Sequence, residues 1–146
     1  MSHSASSDEQ AEFPARLAAL PDTATFAQAF CERNGIGRDD ALRLTLVIEE
    51  LFTNTVRHGY RNESDAPIRI ALAIGDGRVT LLYEDSAPRY DPLARLSAPP
   101  SSLAAPIEAR PVGGLGVHLL GQLVAGARYA YENGSNRLWL EMPRGG

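Results

Sequence analysis

The sequence predicts an α+β fold: a two-layer sandwich with helices packed on one face of a mixed β-sheet. Apolar residues recur at helical spacing as far as residue 59, then alternate at a period of two from Ile68 onward. Asp76-Gly77 and Asn133-Gly134 each stand between two alternating runs, and both are tight hairpin signals. The resulting order is strand, two helices, hairpin, long loop, helix, hairpin, with no internal repeat. At 146 residues the chain suits one domain with a sizeable core.

Residues 1–12 open with MSHSASSDEQ, small and polar, and are expected to be disordered. Residues 13–20 alternate weakly through Phe13, Ala15, Leu17 and Ala19, as a modest strand does. Asp22 and Thr23 offer caps for a helix running to about Asn34, where Gly35 supplies a left-handed stop. Arg38-Asp39-Asp40 opens a longer helix that ends near Gly59, about 20 residues and roughly 30 Å long. Ile68, Ile70, Leu72 and Ile74 then alternate with Arg69, Ala71 and Ala73, and residues 79–83 return as the partner strand. Residues 93–112, LARLSAPPSSLAAPIEARPV, carry no periodicity through their prolines and read as a lid or a disordered segment. Residues 116–125 suit a short helix, and two strands joined by Asn133-Gly134 close the chain.

Composition narrows the function. With 44% hydrophobic and 22% charged residues the chain is globular, and a net charge of −4 leaves no basic footprint for nucleic acid. No apolar run approaches the roughly 20 residues that span a bilayer, and no basic-then-apolar leader opens the chain. A soluble, cytoplasmic protein without membrane contact is expected. Cys31, the single cysteine, lies among Phe26, Ala27, Phe30 and Ile36 and reads as a core thiol.

Three constellations bear on chemistry. In VIEELFTNTVRHGY, residues 47–60, Glu50 and Asn54 stand one turn apart on one helix face. Arg43, Glu50, Asn54, Arg57 and His58 form a polar stripe roughly 100° wide. Leu42, Leu44, Ile48, Leu51, Phe52 and Val56 fill most of the remaining circumference. The stripe either lines a cavity or is an exposed face with an i,i+4 polar pair. In a cavity, the asparagine oxygen suits magnesium and the glutamate can take a proton from an attacking hydroxyl. In LLYEDSAPRYDP, residues 81–92, Asp85 ends an apolar strand before Ser86, Ala87 and Pro88. There it can accept a hydrogen bond from an exocyclic amine such as adenine's, or simply start a turn. In RPVGGLGVHLL, residues 110–120, Gly113, Gly114 and Gly116 precede a helix. That arrangement is a phosphate cradle or a hinge; it is neither a P-loop nor a dinucleotide fingerprint.

Taken together and in this order, the three motifs resemble the GHKL ATPase superfamily, in particular its small bacterial branch of anti-sigma-factor serine-protein kinases. EELFTNTVRHG is similar to that branch's N box, EDSAPRYDP to its first glycine box and GGLGVHLL to its second. The resemblance spans about residues 13–143. It implies the Bergerat-type ATP-binding fold, with ATP held between the helices under a flexible lid, here residues 93–112, in one kinase domain over residues 13–146. It implies magnesium on Asn54, Glu50 as general base and Asp85 on the adenine amine, with the small Ala87 beside the ring. Gly113, Gly114, Leu115, Gly116 and Val117 would cradle phosphate, with Arg57, His58 and Arg110 placed to meet phosphate oxygens. Much of the superfamily has Asp-x-Gly-x-Gly where this chain has Asp85-Ser86-Ala87-Pro88-Arg89. Ala87 is a small substitute for glycine.

The implied function is an ATP-dependent protein serine/threonine kinase and anti-sigma-type regulator, a homodimer that phosphorylates an anti-sigma-factor antagonist in a partner-switching pathway. A nucleotide-dependent module that sequesters a sigma factor or other regulator without phosphotransfer is the alternative. An isolated ATPase, or the catalytic part of a histidine kinase, is a third. Glu50 favours the kinase, because a pure binder needs no base there.

Overall fold

The structure, a computed structural model, describes residues 8–60, 62–90 and 125–143. The expected lid, the helix over residues 116–125 up to residue 124, and Arg110, Gly113, Gly114, Leu115, Gly116 and Val117 lie outside the described residues, as do residues 1–7.

The elements are β1 (Glu9–Pro14), α1 (Leu20–Arg33), α2 (Arg38–Asn54), β2 (Pro67–Gly75), β3 (Arg78–Asp85), β4 (Gly126–Glu132) and β5 (Ser135–Pro143). The strands form one sheet in the order β1-β2-β3-β5-β4. The two helices cover one of its faces, as an α+β sandwich requires. The sheet is not mixed, however: all four ladders among the described residues are antiparallel. The cause is which strand of the last hairpin sits beside β3. β4 runs in the same direction as β3 and would have paired parallel to it. β5 takes that place instead and pushes β4 to the edge.

The alternation read from sequence builds the core face of the sheet. Ile70, Tyr83 and Leu138 lie in one row across three strands, Leu72, Leu81 and Leu140 in the next, and Ile74, Val79 and Met142 in a third. All but Ile74 are buried. Phe30 of α1 and Leu44, Val47, Ile48, Leu51 and Phe52 of α2 pack onto these rows at i, i+3, i+4 spacing. Cys31 is buried in the same core, and burial pushes its thiol pKa up. The other face carries a row of alternating charge, with Arg69 between Glu12 and Glu84, and Arg137 between Glu84 and Glu132.

Both hairpin signals hold. Asp76 and Gly77 have φ of 52° and 72°, Asn133 and Gly134 51° and 77°, the paired left-handed geometry of a two-residue turn. α1 stops as expected at Gly35, φ 65°. The Ile36 amide reaches back to the Cys31 carbonyl at 2.9 Å, which closes a Schellman motif.

Three expectations are corrected. The first strand lies at Glu9–Pro14 rather than over residues 13–20, so residues 9–12 are ordered in it. Glu9 is held by Arg33 of α1 and Glu12 by Arg69 of β2, while Phe13 packs edge-to-face on Phe26. The chain then turns at Arg16, whose carbonyl receives the Ala19 amide. α1 begins at Leu20, before the expected caps. Pro21 fits the first turn, where a missing N–H costs nothing, and Thr23 Oγ1 donates back to the Leu20 carbonyl at 2.7 Å. Leu42 is 58% exposed rather than buried, because α2 as far as Ile48 buries only the narrow stripe of Leu44, Val47 and Ile48.

Candidate functional site

The site grows from the C-terminal turns of α2. Glu50 is half-buried and Asn54 only 2% exposed. The Asn54 amide nitrogen donates to Glu50 Oε2 at 3.3 Å, so the two side chains that share a face by spacing also touch. Directly after Asn54 the helix widens into a π turn, Thr55–Gly59, closed by the Tyr60 amide on the Thr55 carbonyl at 2.8 Å. Each residue there rotates less about the axis than a regular α-helix demands, and the stripe read at 100° per residue breaks up. Asn54 faces in, while Arg57 and His58 are exposed on the turn. Arg43 is exposed too, paired with Asp40 at 2.9 Å.

The π turn sets Thr55 on the sheet. Its hydroxyl lies 3.0 Å from Asp85 Oδ2, 2.6 Å from the Tyr83 hydroxyl and 3.1 Å from the Leu51 carbonyl. A hydroxyl has one hydrogen, and the charged carboxylate is its stronger acceptor, so Thr55 donates to Asp85 and Tyr83 donates to Thr55. Asp85 stands at the end of β3 on the core face, 6% exposed. Its Oδ1 accepts from Asn136 Nδ2 at 2.8 Å and from the Ala87 amide at 3.1 Å. Burial pushes the Asp85 pKa above the ordinary carboxylate value against the opposing pull of these donors.

Asn136 lies directly across from Asp85 in the β3–β5 ladder. Its Nδ2 also reaches the carbonyls of Ala87 and Pro88, at 3.0 and 3.2 Å. Its Oδ1 accepts from the Tyr90 amide at 2.9 Å and the Tyr129 hydroxyl at 2.5 Å. These partners settle which end of the amide faces the carboxylate. Asn54, Thr55, Tyr83, Asp85, Tyr90, Tyr129 and Asn136 line one cavity of about 20 Å³, room for a water molecule. Tyr90 Oη is buried there without a hydrogen-bond partner among the described residues. The sequence reading did not single out Thr55, Tyr83, Tyr90, Tyr129 or Asn136. The available signal was Tyr83 two residues before Asp85, on the same strand face.

Ala87 is buried, and a Cβ built on Gly59 would meet its Cβ at 3.1 Å. Ala87 cannot easily give way, because its amide and carbonyl are both held by the network. Overpacking therefore outweighs the helix-propensity gain, and Gly59→Ala should lower stability by about 1 kcal/mol. Urea denaturation checks this, and adding Ala87→Gly should restore most of the loss. Additive effects of the two changes would show that the close approach is not what matters.

The residues fit a magnesium nucleotide in their donor chemistry. A carboxylate has about four acceptor directions; donors among the described residues take three of Asp85's, which leaves one for a single amine. Asn54 turns its nitrogen to Glu50, and its oxygen is the atom a hard cation would meet. Among the described residues no three His, Cys, Asp or Glu side chains cluster to hold a metal alone. No helix among the described residues is long and apolar enough to cross a membrane.

A family model described as a histidine kinase-like ATPase domain matches residues 13–142. The serine-protein kinase RsbW of Bacillus cereus (strain AH187) is 27% identical over 103 residues. The protein of the same name from Bacillus anthracis (strain A0248) is also 27% identical over 103 residues. Each match covers 70% of this chain and 64% of the relative's length. Among solved structures, the RsbU and RsbW domains of Rv1364c from Mycobacterium tuberculosis align with a TM-score of 0.63 at 19% identity, over 93% of this chain and 32% of that one. A chain of the SiaB-SiaC complex from Pseudomonas aeruginosa aligns with a TM-score of 0.62 at 12% identity, over 92% and 87%. At such identities the two structures bear on the fold, which they share with this chain.

Proposed function

The chain belongs to the histidine kinase-like ATPase domain family, and on that premise we propose that it is an ATP-dependent protein serine/threonine kinase. Its substrate would be an antagonist protein in a partner-switching pathway, with the chain acting as an anti-sigma-type regulator. The observation that carries the reading is one cavity bringing Asn54 of the helix, hydrogen-bonded to Glu50, together with the buried, triply held Asp85 of the sheet. The relatives named serine-protein kinase support the choice of a hydroxyl substrate.

In this reading Asp85 accepts a hydrogen bond from the adenine amine, and Asn54 holds the magnesium that enters with the nucleotide. The metal supplies neutralisation of phosphate charge. Glu50 takes the proton of a serine or threonine hydroxyl as its oxygen bonds to the γ-phosphorus. The bond from that phosphorus to the bridging oxygen breaks, and ADP leaves. The half-buried Glu50 can meet a protein substrate while Asn54 orients its carboxylate. Isotope-labelled ATP incubated with the purified chain and candidate antagonists from the same genome tests the proposal. Label should move to a serine or threonine of one candidate. Tight partner binding with no transfer to any of them would replace the kinase by sequestration.

The raised pKa of Asp85 adds a pH signature. Only the ionised carboxylate accepts from the amine, so ATP affinity should fall on acidification, starting at higher pH than an ordinary aspartate allows. The stability sign is opposite. A carboxyl whose folded pKa is raised favours folding below its unfolded value and loses that contribution as pH rises through the folded value. Asp85→Asn should therefore be at least as stable as the parent at neutral pH, yet bind ATP weakly at every pH. Calorimetric ATP titrations and melting curves across pH check both. Parent-like ATP affinity in the variant would make Asp85 only a turn residue.

A further inference from the structure

We propose that Thr55 and Asn136 are positioning residues that aim Asp85 at the purine amine, so that selection of the base depends on side chains that need not touch it. The inference rests on the nucleotide reading of this site. A buried aspartate at a strand end can rotate about its two side-chain bonds unless it is held. Here Thr55 fixes Oδ2, while Asn136 and the Ala87 amide fix Oδ1. The remaining acceptor direction is set by those three donors rather than by Asp85 itself.

The holders are in turn held from different elements. Tyr83 of β3 anchors the Thr55 hydroxyl at 2.6 Å and lies 3.1 Å from the Leu51 carbonyl of α2. Asn136 of β5 is clamped between Tyr129, the Tyr90 amide and the carbonyls of Ala87 and Pro88. Thr55 is 2% exposed and Asn136 6%, so neither relay runs through solvent. Hydrogen bonds shut in this way are directional and strong, and losing one leaves the carboxylate misaimed rather than removed.

The test compares ATP with purine riboside triphosphate, which differs only in a hydrogen in place of the amine. The parent should prefer ATP. Thr55→Val keeps shape and deletes the hydroxyl. It should weaken ATP binding by roughly tenfold or more, the usual weight of a hydrogen bond to a charged group. Its affinity for purine riboside triphosphate should stay within about twofold of the parent's, since that base offers Asp85 no amine. Thr55→Ser should restore the ATP preference. Tyr83→Phe, which unseats Thr55 without touching Asp85, should move the ratio in the same direction and serves if Thr55→Val does not fold. Equal losses for both nucleotides would mean a structural role, and an unchanged ratio in a folded variant would mean that Asp85 aims itself; either overturns the inference. A parent that binds neither nucleotide removes the nucleotide reading instead.

Discussion

Glu50→Gln should bind ATP with parental affinity and transfer phosphate roughly 10²–10⁴-fold more slowly, the usual worth of a positioned general base. The two side chains have the same shape, and either can accept from Asn54 Nδ2, which lies 3.3 Å from Glu50 Oε2 in the parent. What disappears is the capacity to take a proton. The hydroxyl of a serine or threonine must lose its proton as it attacks, so the loss appears in transfer and not in binding. Measuring partner affinity and partner phosphorylation on the same preparation separates the two. If the variant phosphorylates its partner at the parental rate, Glu50 has no part in the chemistry.

Asn54→Ala should remove the magnesium-dependent share of ATP binding altogether. Magnesium held by phosphates needs few protein oxygens, and one lost ligand is then a large fraction of what the protein supplies. Asn54 is almost fully buried, but it sits at the cavity among polar groups rather than in the apolar rows, so the fold should survive its truncation. The variant also strips Glu50 of its Asn54 donor, and any residual transfer should fall with binding. Titrations with magnesium and with a chelator decide it: the parent should respond to the metal and the variant should not. Equal metal dependence in both would assign magnesium elsewhere.

The candidate site was partly legible before any coordinates. Glu50 and Asn54 are a turn apart, and helical spacing alone puts them on one face. Asp85 closes a run of alternating apolar residues, so its place at a strand end follows from period and the turn after it. Arg57 and His58 illustrate where that reasoning stops. Spacing placed them in the same stripe, but the π turn changes the angle per residue just before them. Nothing in Thr55-Val56-Arg57-His58-Gly59 announces the wider turn locally. It is consistent with Gly59 lying against Ala87 and Thr55 reaching Asp85, contacts with residues 28 and 30 positions away.

By itself the sequence determined helices α1 and α2, the two hairpins with their left-handed turn residues, and the apolar rows of the sheet, because each depends on a few neighbouring residues and their period. It also determined that a carboxylate and a carboxamide would share one face of α2. Tertiary structure alone decided that β5 rather than β4 lies beside β3, which made the sheet antiparallel and set Asn136 opposite Asp85. It likewise ordered residues 9–12 through Arg33 and Arg69 and seated Thr55 between Tyr83 and Asp85. The physical reason is common to all of these. A strand's partner and a buried polar group's partner are chosen by burial summed over the whole core, with every enclosed donor and acceptor satisfied at once, and no local window of the chain contains that sum.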